Sequence, residues 1–145
     1  MASLWLQYPA KIPRPKNGKR PSLRKMPLFC LTGLQGVIRS GALREDDVWL
    51  ATTDSGNDLW QMKWTIQDLL DFLGCLRPYR LNVEHDFHNA EWCKDTRGDW
   101  YPCDSYKMSY DKEQKCRDAN GVSVFVKFSV SEEGDLTLVV ISAHD

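Results

Sequence analysis

The first 44 residues of this 145-residue chain contain no aspartate or glutamate, although they carry nine of its 19 lysines and arginines. The other residues hold ten basic groups and all 20 acidic ones, so a formal net charge of −1 conceals two halves of about +9 and −10. The basic segment cannot neutralise its own charge. It therefore attracts a polyanion such as nucleic acid, folds against the acidic body or an acidic partner protein, or remains a solvated tail.

The chain also lacks a long apolar run. No stretch approaches the roughly 20 apolar residues that a membrane-spanning helix needs, so we expect no membrane association. The apolar patch at Leu4–Leu6 precedes the basic residues, which is the reverse of a secretory signal. The sequence therefore predicts a cytoplasmic protein, and since five cysteines are an odd number in a reducing compartment, we expect reduced thiols.

Motifs for metal or nucleotide chemistry are missing as well. The sequence has no His-Glu-x-x-His pair and no Gly-rich phosphate loop. His85, His88, Cys93 and Cys103 are possible zinc ligands, but they lack the paired two-residue spacing of a zinc site, and the sequence favours a loop with reduced thiols and solvated histidines. We therefore expect neither a metal ion nor a cofactor.

Proline divides the chain into two parts. Five of the seven prolines fall within the first 27 residues, and proline removes a backbone donor and disfavours helix at the preceding residue. The sequence predicts an extended basic arm over 1–26, without regular structure, and a single domain over 27–145. If the arm binds RNA, its cations are the contact residues, notably Lys16, Lys19, Arg20, Arg24 and Lys25.

Two helices are predicted at the start of the domain. Leucines and other apolar residues recur at helical spacing over 28–38. A second helix over 66–73 follows Thr65 and Asp68, which form a capping-box pattern. The polar stretch over 52–58 is expected to form the turn between the helices.

The last third of the chain predicts a sheet. Alternating or continuous apolar residues indicate strands over 105–110, 122–130 and 136–141, with a hairpin turn at 132–135 and a further short strand over 48–51. The continuous run over 136–141 is typical of a strand buried on both faces. The predicted fold class is α+β, with two N-terminal helices followed by an antiparallel sheet.

Several residues suit metal-free cleavage of RNA. The 2′-hydroxyl of RNA is its own nucleophile, so the protein need supply only a base, an acid and cations for the phosphate. For any single candidate, an ordinary surface position is the favoured alternative. The candidates are His85, His88, Arg97, Tyr106, Lys127 and His144.

The chain resembles the MqsR-type messenger-RNA interferase toxins, which have the RelE-like ribonuclease fold. The resemblance rests on a Leu-rich helix ending at Gly41, the Asp71-Phe72 pair, the succession His88, Trp92 and Asp95, and closing strands over 122–130 and 136–142. It implies a metal-independent endoribonuclease that acts as the toxin of a toxin–antitoxin pair. RNA and a cognate antitoxin would be its partners.

The chain departs from this family at its catalytic positions, so the roles of individual residues come from the chemistry of RNA cleavage. Where the family carries catalytic Lys, Gln, Tyr and Lys, this chain has Gly74, Cys93, Phe125 and His144. The acid–base groups would then be His88 and His144, with Tyr106 as a possible substitute for the missing tyrosine. Arg97 and Lys127 would hold the phosphate.

A second interpretation is a non-enzymatic protein-binding module, for example an immunity protein or a phage-borne inhibitor on a degenerate ribonuclease fold. Six tryptophans and five tyrosines fit this interpretation, because aromatic residues dominate binding hot spots. The acidic body also disfavours RNA binding except along the arm and one cationic face.

Overall fold

The computed structural model describes residues 3–6, 22–24 and 26–145, with the backbone alone for 22–24. These parts form an α+β fold, as predicted, with three helices and a seven-stranded mixed sheet. The helices are α1 (Leu31–Arg39), α2 (Thr53–Met62) and α3 (Ile66–Cys75), with a 3-10 turn at Glu45–Asp47. The strands are β1 (Ser22–Arg24), β2 (Val48–Leu50), β3 (Phe87–Lys94), β4 (Trp100–Asp111), β5 (Cys116–Arg117), β6 (Val122–Ser131) and β7 (Thr137–His144).

Helices α1 and α3 confirm the two predicted helices. The Thr65 hydroxyl accepts a hydrogen bond from the Asp68 amide at 3.1 Å, and Asp68 accepts one from the Thr65 amide at 2.8 Å. Helix α1 begins three residues later than its apolar pattern. The reason is that the amides of Leu28 and Phe29 donate to the Asp104 carboxylate on β4 at 2.9 and 3.0 Å, which holds them outside the helix.

The predicted turn over 52–58 is wrong, because this segment forms most of α2. The Thr52 hydroxyl accepts from the Ser55 amide at 2.9 Å, and the Ser55 hydroxyl donates to the Thr52 carbonyl at 2.8 Å. Ser55 is completely buried and Leu59 is 4% exposed, so the helix is anchored by tertiary contacts. Because this segment is mostly polar, its sequence lacks the apolar spacing that predicts a helix.

The loop expected around His88, Cys93 and Cys103 is also wrong, since these residues lie in β3 and at the start of β4. A bulge between Phe87 and Asn89 interrupts the register of β3 with β4. A bulge shifts the alternation of side chains by one residue, and the period-2 pattern is therefore absent from the sequence.

The prediction that residues 1–26 contain no regular element is wrong for β1. The three residues of β1 lie after Pro21 and contain no proline, so each has an amide available for pairing with β3. Leu4, from the same N-terminal segment, is 3% exposed within the core, and Trp5 packs against Phe29 with ring centroids 4.3 Å apart.

The sheet is mixed, whereas the sequence predicted an antiparallel one. Its strand order is β1-β3-β4-β6-β7-β2, and β5 pairs with β4 outside this path. All pairs are antiparallel except β2 with β7. Parallel pairing needs a long crossover, which here includes α2, α3 and the intervening strands. The predicted strand over 48–51 is confirmed as β2, and strands β6 and β7 are confirmed near their predicted limits.

One face of the sheet packs against the helices and forms the main core. Tyr106 and Met108 on β4, and Val126 and Phe128 on β6, are at most 2% exposed on this face. The Gln35 side chain lies within the same region and donates to the carbonyls of Leu73 and Leu76, both at 2.9 Å. Because β-strand side chains alternate between faces, the remaining residues of β4 and β6 project from the opposite face.

The opposite face is covered over part of its area by the β3–β4 hairpin. The hairpin turn reaches the end of β2, where the Thr96 amide donates to the Ala51 carbonyl at 3.0 Å. Ala51 in turn donates to Val140 on β7 at 2.9 Å. A small second core with Cys93, Cys103, Val139 and Ile141 is enclosed there. In the described residues, no helix has both the length and the apolar character needed to cross a membrane.

Candidate functional site

A group of polar and aromatic side chains lies on the exposed part of the sheet face opposite the helices. On β6, Val124, Val126 and Phe128 point into the core, so Phe125 and Lys127 project from the other face. Neighbouring strands add four further side chains around Phe125 and Lys127. We call the whole group the Phe125 patch: His88, Glu91, Lys107, Phe125, Lys127 and His144.

His144 approaches Phe125 from β7. The two residues are direct cross-strand partners, and their ring centroids lie 5.3 Å apart with a tilt of 37°. The imidazole is exposed, and its Nδ1 lies 3.1 Å from a backbone oxygen of Asp145. Strand pairing therefore fixes the backbone of a histidine whose side chain remains accessible.

His88 approaches the same ring from the other side. It lies at the bulge in β3, is exposed, and extends across β4 so that its ring centroid is 5.4 Å from that of Phe125 at 81°. The two imidazoles are thus no more than about 11 Å apart. Two residues that are 56 positions apart in the sequence share one aromatic neighbour.

Lys127 supplies a cation next to Phe125. Its Nζ lies 5.5 Å from the centroid of the Phe125 ring and 2.5 Å from Oε1 of Glu91. The Lys127 and Glu91 side chains are only 17% and 16% exposed, so the ion pair is partly shielded from solvent. Glu91 neutralises part of the positive charge that Lys127 offers to a bound anion.

Lys107 was missed by the sequence analysis. It pairs directly with Phe125 from β4 and is exposed, and its neighbours Tyr106 and Met108 are in the core. The alternation predicted over 105–110 already placed Lys107 on the wet face of this strand. No local pattern indicates that this face meets Phe125, because the pairing partner depends on the sheet order.

Tyr106, a predicted catalytic residue, lies outside the patch. It is fully buried on the helix side of the sheet and stacks on Phe128 with ring centroids 5.9 Å apart. Burial raises the pKa of its phenol well above the usual range. Its hydroxyl has no hydrogen-bond partner among the described residues. Because successive side chains of a strand alternate between the two faces of the sheet, Tyr106 points away from the face that carries Lys107.

Arg97 is also distant from the patch. It lies in the β3–β4 turn with its guanidinium 5.1 Å from the Trp49 ring, and it pairs with Asp95 at 3.6 Å and Asp99 at 3.7 Å. His88 is at the opposite end of the hairpin, about 20 Å away along β3. The predicted arm cations Lys16, Lys19, Arg20 and Lys25 lie outside the described residues, as does the side chain of Arg24.

The possible zinc ligands occupy three separate places. Cys93 and Cys103 are buried in the second core, His88 belongs to the Phe125 patch, and the His85 ring packs on Tyr79 at 4.8 Å. Among the residues described, no three His, Cys, Asp or Glu side chains are grouped as metal ligands.

No protein-family model, curated protein or solved structure shows significant similarity to this chain. The geometry of the Phe125 patch is therefore the basis for a functional interpretation.

Proposed function

We propose that the protein is a metal-independent endoribonuclease that cleaves messenger RNA, with His88 and His144 as its acid–base pair. One observation carries the proposal: both histidines flank the ring of Phe125 on an accessible face of the sheet. Imidazole is the side chain that ordinarily changes protonation between pH 5 and 8, so a pair of them can supply one base and one acid.

The reaction needs only groups that the Phe125 patch contains. One imidazole accepts the proton of the ribose 2′-hydroxyl as that oxygen forms a bond to phosphorus. The bond from phosphorus to the 5′ oxygen breaks, and the second imidazole, initially protonated, gives its proton to this leaving oxygen. The products are a 2′,3′-cyclic phosphate and a free 5′-hydroxyl. Attack and departure occur on opposite sides of phosphorus, which suits histidines that lie on opposite sides of Phe125.

The remaining residues of the patch bind the substrate. Phe125 offers a ring on which an unpaired base stacks, and such stacking contributes about 1–3 kcal/mol per base. Lys107 and Lys127 place two cations beside the histidines, where they attract phosphate and stabilise the charge of the transition state. The basic arm adds further affinity for RNA.

The toxin role within a toxin–antitoxin pair is supported by the resemblance to the MqsR-type family. The Leu-rich pattern corresponds to α1, the Asp71-Phe72 pair lies in α3, and the closing strands are β6 and β7. A toxin of this type acts in the cytoplasm on messenger RNA and is neutralised by a cognate antitoxin, and the RelE-like arrangement of the fold is part of the same proposal.

A protein-binding module is the second candidate. Trp60 on α2 is 82% exposed, and such a large exposed aromatic residue is typical of an interface hot spot. The Glu91–Lys127 pair also reduces the positive charge available to RNA. An immunity protein or a phage-borne inhibitor would use the Trp60 surface and need no histidine pair.

Induced expression in a bacterial host distinguishes the two candidates. We expect the parent protein to arrest growth and to fragment messenger RNA, and the double variant His88→Ala/His144→Ala to do neither at equal abundance. Purified parent protein should cleave RNA in the presence of a chelator, with 2′,3′-cyclic phosphate ends. Growth arrest with intact RNA, dependent on Trp60 and not on the histidines, would show that the binding module is the correct function.

A further inference from the structure

An open cleft of about 570 Å³ lies between strands β4 and β6, towards the opposite end of β6 from Phe125. Register pairing between the two strands ends at Asp104 with Phe128. Strand β4 nevertheless begins at Trp100 and β6 continues to Ser131, so both strands extend along the cleft. The volume is within the range of roughly 300–1,000 Å³ that is typical of ligand sites.

Two indole rings line this cleft. Trp100 belongs to β4, Trp5 belongs to the N-terminal segment, and both are only partly buried. Trp5 is held by Phe29, with their ring centroids 4.3 Å apart. The Trp100 ring attracts a cation within the chain itself, since the Lys94 Nζ lies 4.8 Å from its centroid. Indole is the aromatic group that attracts a cation most strongly, so the cleft favours a ligand of positive charge.

Two carboxylates line the cleft as well. The Glu132 Oε1 accepts hydrogen bonds from the Ser3 hydroxyl at 2.6 Å and the Leu4 amide at 3.1 Å, which fix the position of the carboxylate. Its Oε2 has no partner among the described residues and is not buried, so a ligand can reach it. Glu133 is exposed. Of the described residues that line the cleft, none is Lys, Arg or His, and a cation that donates hydrogen bonds is therefore the complementary ligand.

We propose that this cleft binds the arginine side chain of a partner peptide. The guanidinium is planar and weakly hydrated, so it stacks on the Trp100 indole and donates to Oε2 of Glu132. The aliphatic stem of the arginine covers the Trp5 ring. The volume of the cleft is several times that of a guanidinium, which leaves room for this stem.

The test uses N-acetyl-arginine N-methylamide, which carries the side chain in peptide form, added to the full ¹⁵N-labelled chain. Titration should shift the indole N–H signals of Trp5 and Trp100, with a Kd of about 1 mM or tighter. The signal of Trp60, which is 82% exposed and lies outside the cleft, should not move.

Three related compounds separate charge, planarity and the stem. The capped citrulline has the same shape without the charge and should bind about tenfold more weakly. The capped lysine should also bind more weakly, because its ammonium is strongly hydrated and does not stack. Methylguanidine lacks the stem, so its affinity should be lower than that of the capped arginine. Equal binding of citrulline or lysine would overturn the proposal, and equal binding of methylguanidine would show that no peptide is involved.

Variants of the protein locate the site. Glu132→Gln should weaken binding of the capped arginine by about threefold, whereas Glu113→Gln removes an exposed carboxylate outside the cleft and should have no effect. Trp100→Leu should weaken binding by about 3- to 10-fold. Lys94→Met should strengthen it, because a competing cation beside Trp100 is removed.

Two results with these variants would contradict the site. One is an unchanged affinity in Glu132→Gln, and the other is an equal loss in Glu132→Gln and Glu113→Gln. Signal shifts confined to residues outside the cleft would also overturn the proposal. The titrations contain no RNA, so their result is independent of the proposed ribonuclease function.

Discussion

Phe125 and His144 face each other across the β6–β7 strand pair, with their ring centroids 5.3 Å apart. Direct pairing gives the histidine a fixed position on the sheet although it is close to the end of the sequence. A bulge between Lys127 and Phe128 in the same strand pair shifts the register, and His144 falls on the open face because of it. The pairing of β6 with β7, including this bulge, therefore determines where the imidazole lies.

The histidine pair is tested by single substitutions. His88→Ala and His144→Ala should each lower the rate of RNA cleavage by about 10²-fold, the scale of a lost acid or base, with unchanged circular dichroism. His85→Ala is the matched control, since His85 packs on Tyr79 outside the Phe125 patch. A loss in the His85 variant equal to the other two would show that the proposed pair is incorrect.

Phe125 is expected to bind RNA by stacking. Phe125→Ala should raise the Kd for a non-cleavable 2′-O-methyl oligonucleotide by about tenfold, whereas Phe125→Trp should retain affinity. Trp60→Ala removes an exposed aromatic side chain elsewhere and should have no effect on this Kd. Fluorescence anisotropy measures all three. If Trp60→Ala weakens RNA binding and Phe125→Ala does not, the nucleic-acid surface is on α2.

The Glu91–Lys127 ion pair should control the charge of the site. Glu91→Gln releases Lys127 for phosphate, so RNA affinity should increase and the slope of log K against log salt should steepen by about 0.7. Lys127→Met should change both quantities in the opposite direction. Identical salt slopes in both variants and the parent would mean that Lys127 does not contact phosphate.

Asp104 should make stability depend on pH. Burial raises the pKa of Asp104 from 3.8 to about 7, although hydrogen bonds from the Leu28 and Phe29 amides oppose the shift. The folded state therefore holds this proton more firmly than the unfolded state. The resulting stabilisation is complete below about pH 4 and is lost as the pH rises through about 7, on the order of 4 kcal/mol at most.

Asp104→Asn cannot ionise and should remove this pH dependence. The measurement is the free energy of unfolding in urea at pH 4.5 and pH 7.5 for parent and variant. The parent should lose more stability between the two values than the variant does. Parallel losses would show that Asp104 remains ionised throughout this range in the folded protein.

The basic arm should contribute salt-dependent affinity. Replacing Lys11, Arg14, Lys16, Lys19 and Arg20 with glutamine removes five charges and leaves β1 intact. The slope of log K against log salt should fall by up to about 3.5, because each phosphate contact contributes about 0.7 on single strands. Equal slopes before and after replacement would indicate that the arm contacts protein and does not contact RNA.

The sequence by itself determined the elements whose signals are local. The Thr65–Asp68 capping box set the start of α3, and the apolar runs set β6 and β7, because hydrogen bonds to neighbouring residues and burial of one face need no knowledge of the rest of the fold. The sequence alone also identified His88 and His144 as candidate acid–base groups, because this depends only on the residue type.

Only the tertiary structure decided which residues form the site. His88 and Lys107 reach Phe125 because β4 lies between β3 and β6, an order that no local pattern encodes. Tyr106 and Lys107 project from opposite faces of the sheet because successive side chains of a strand alternate, and Tyr106 is the one that is buried in the core. Side-chain direction depends on strand pairing and bulges, and these are fixed by contacts between residues far apart in the chain.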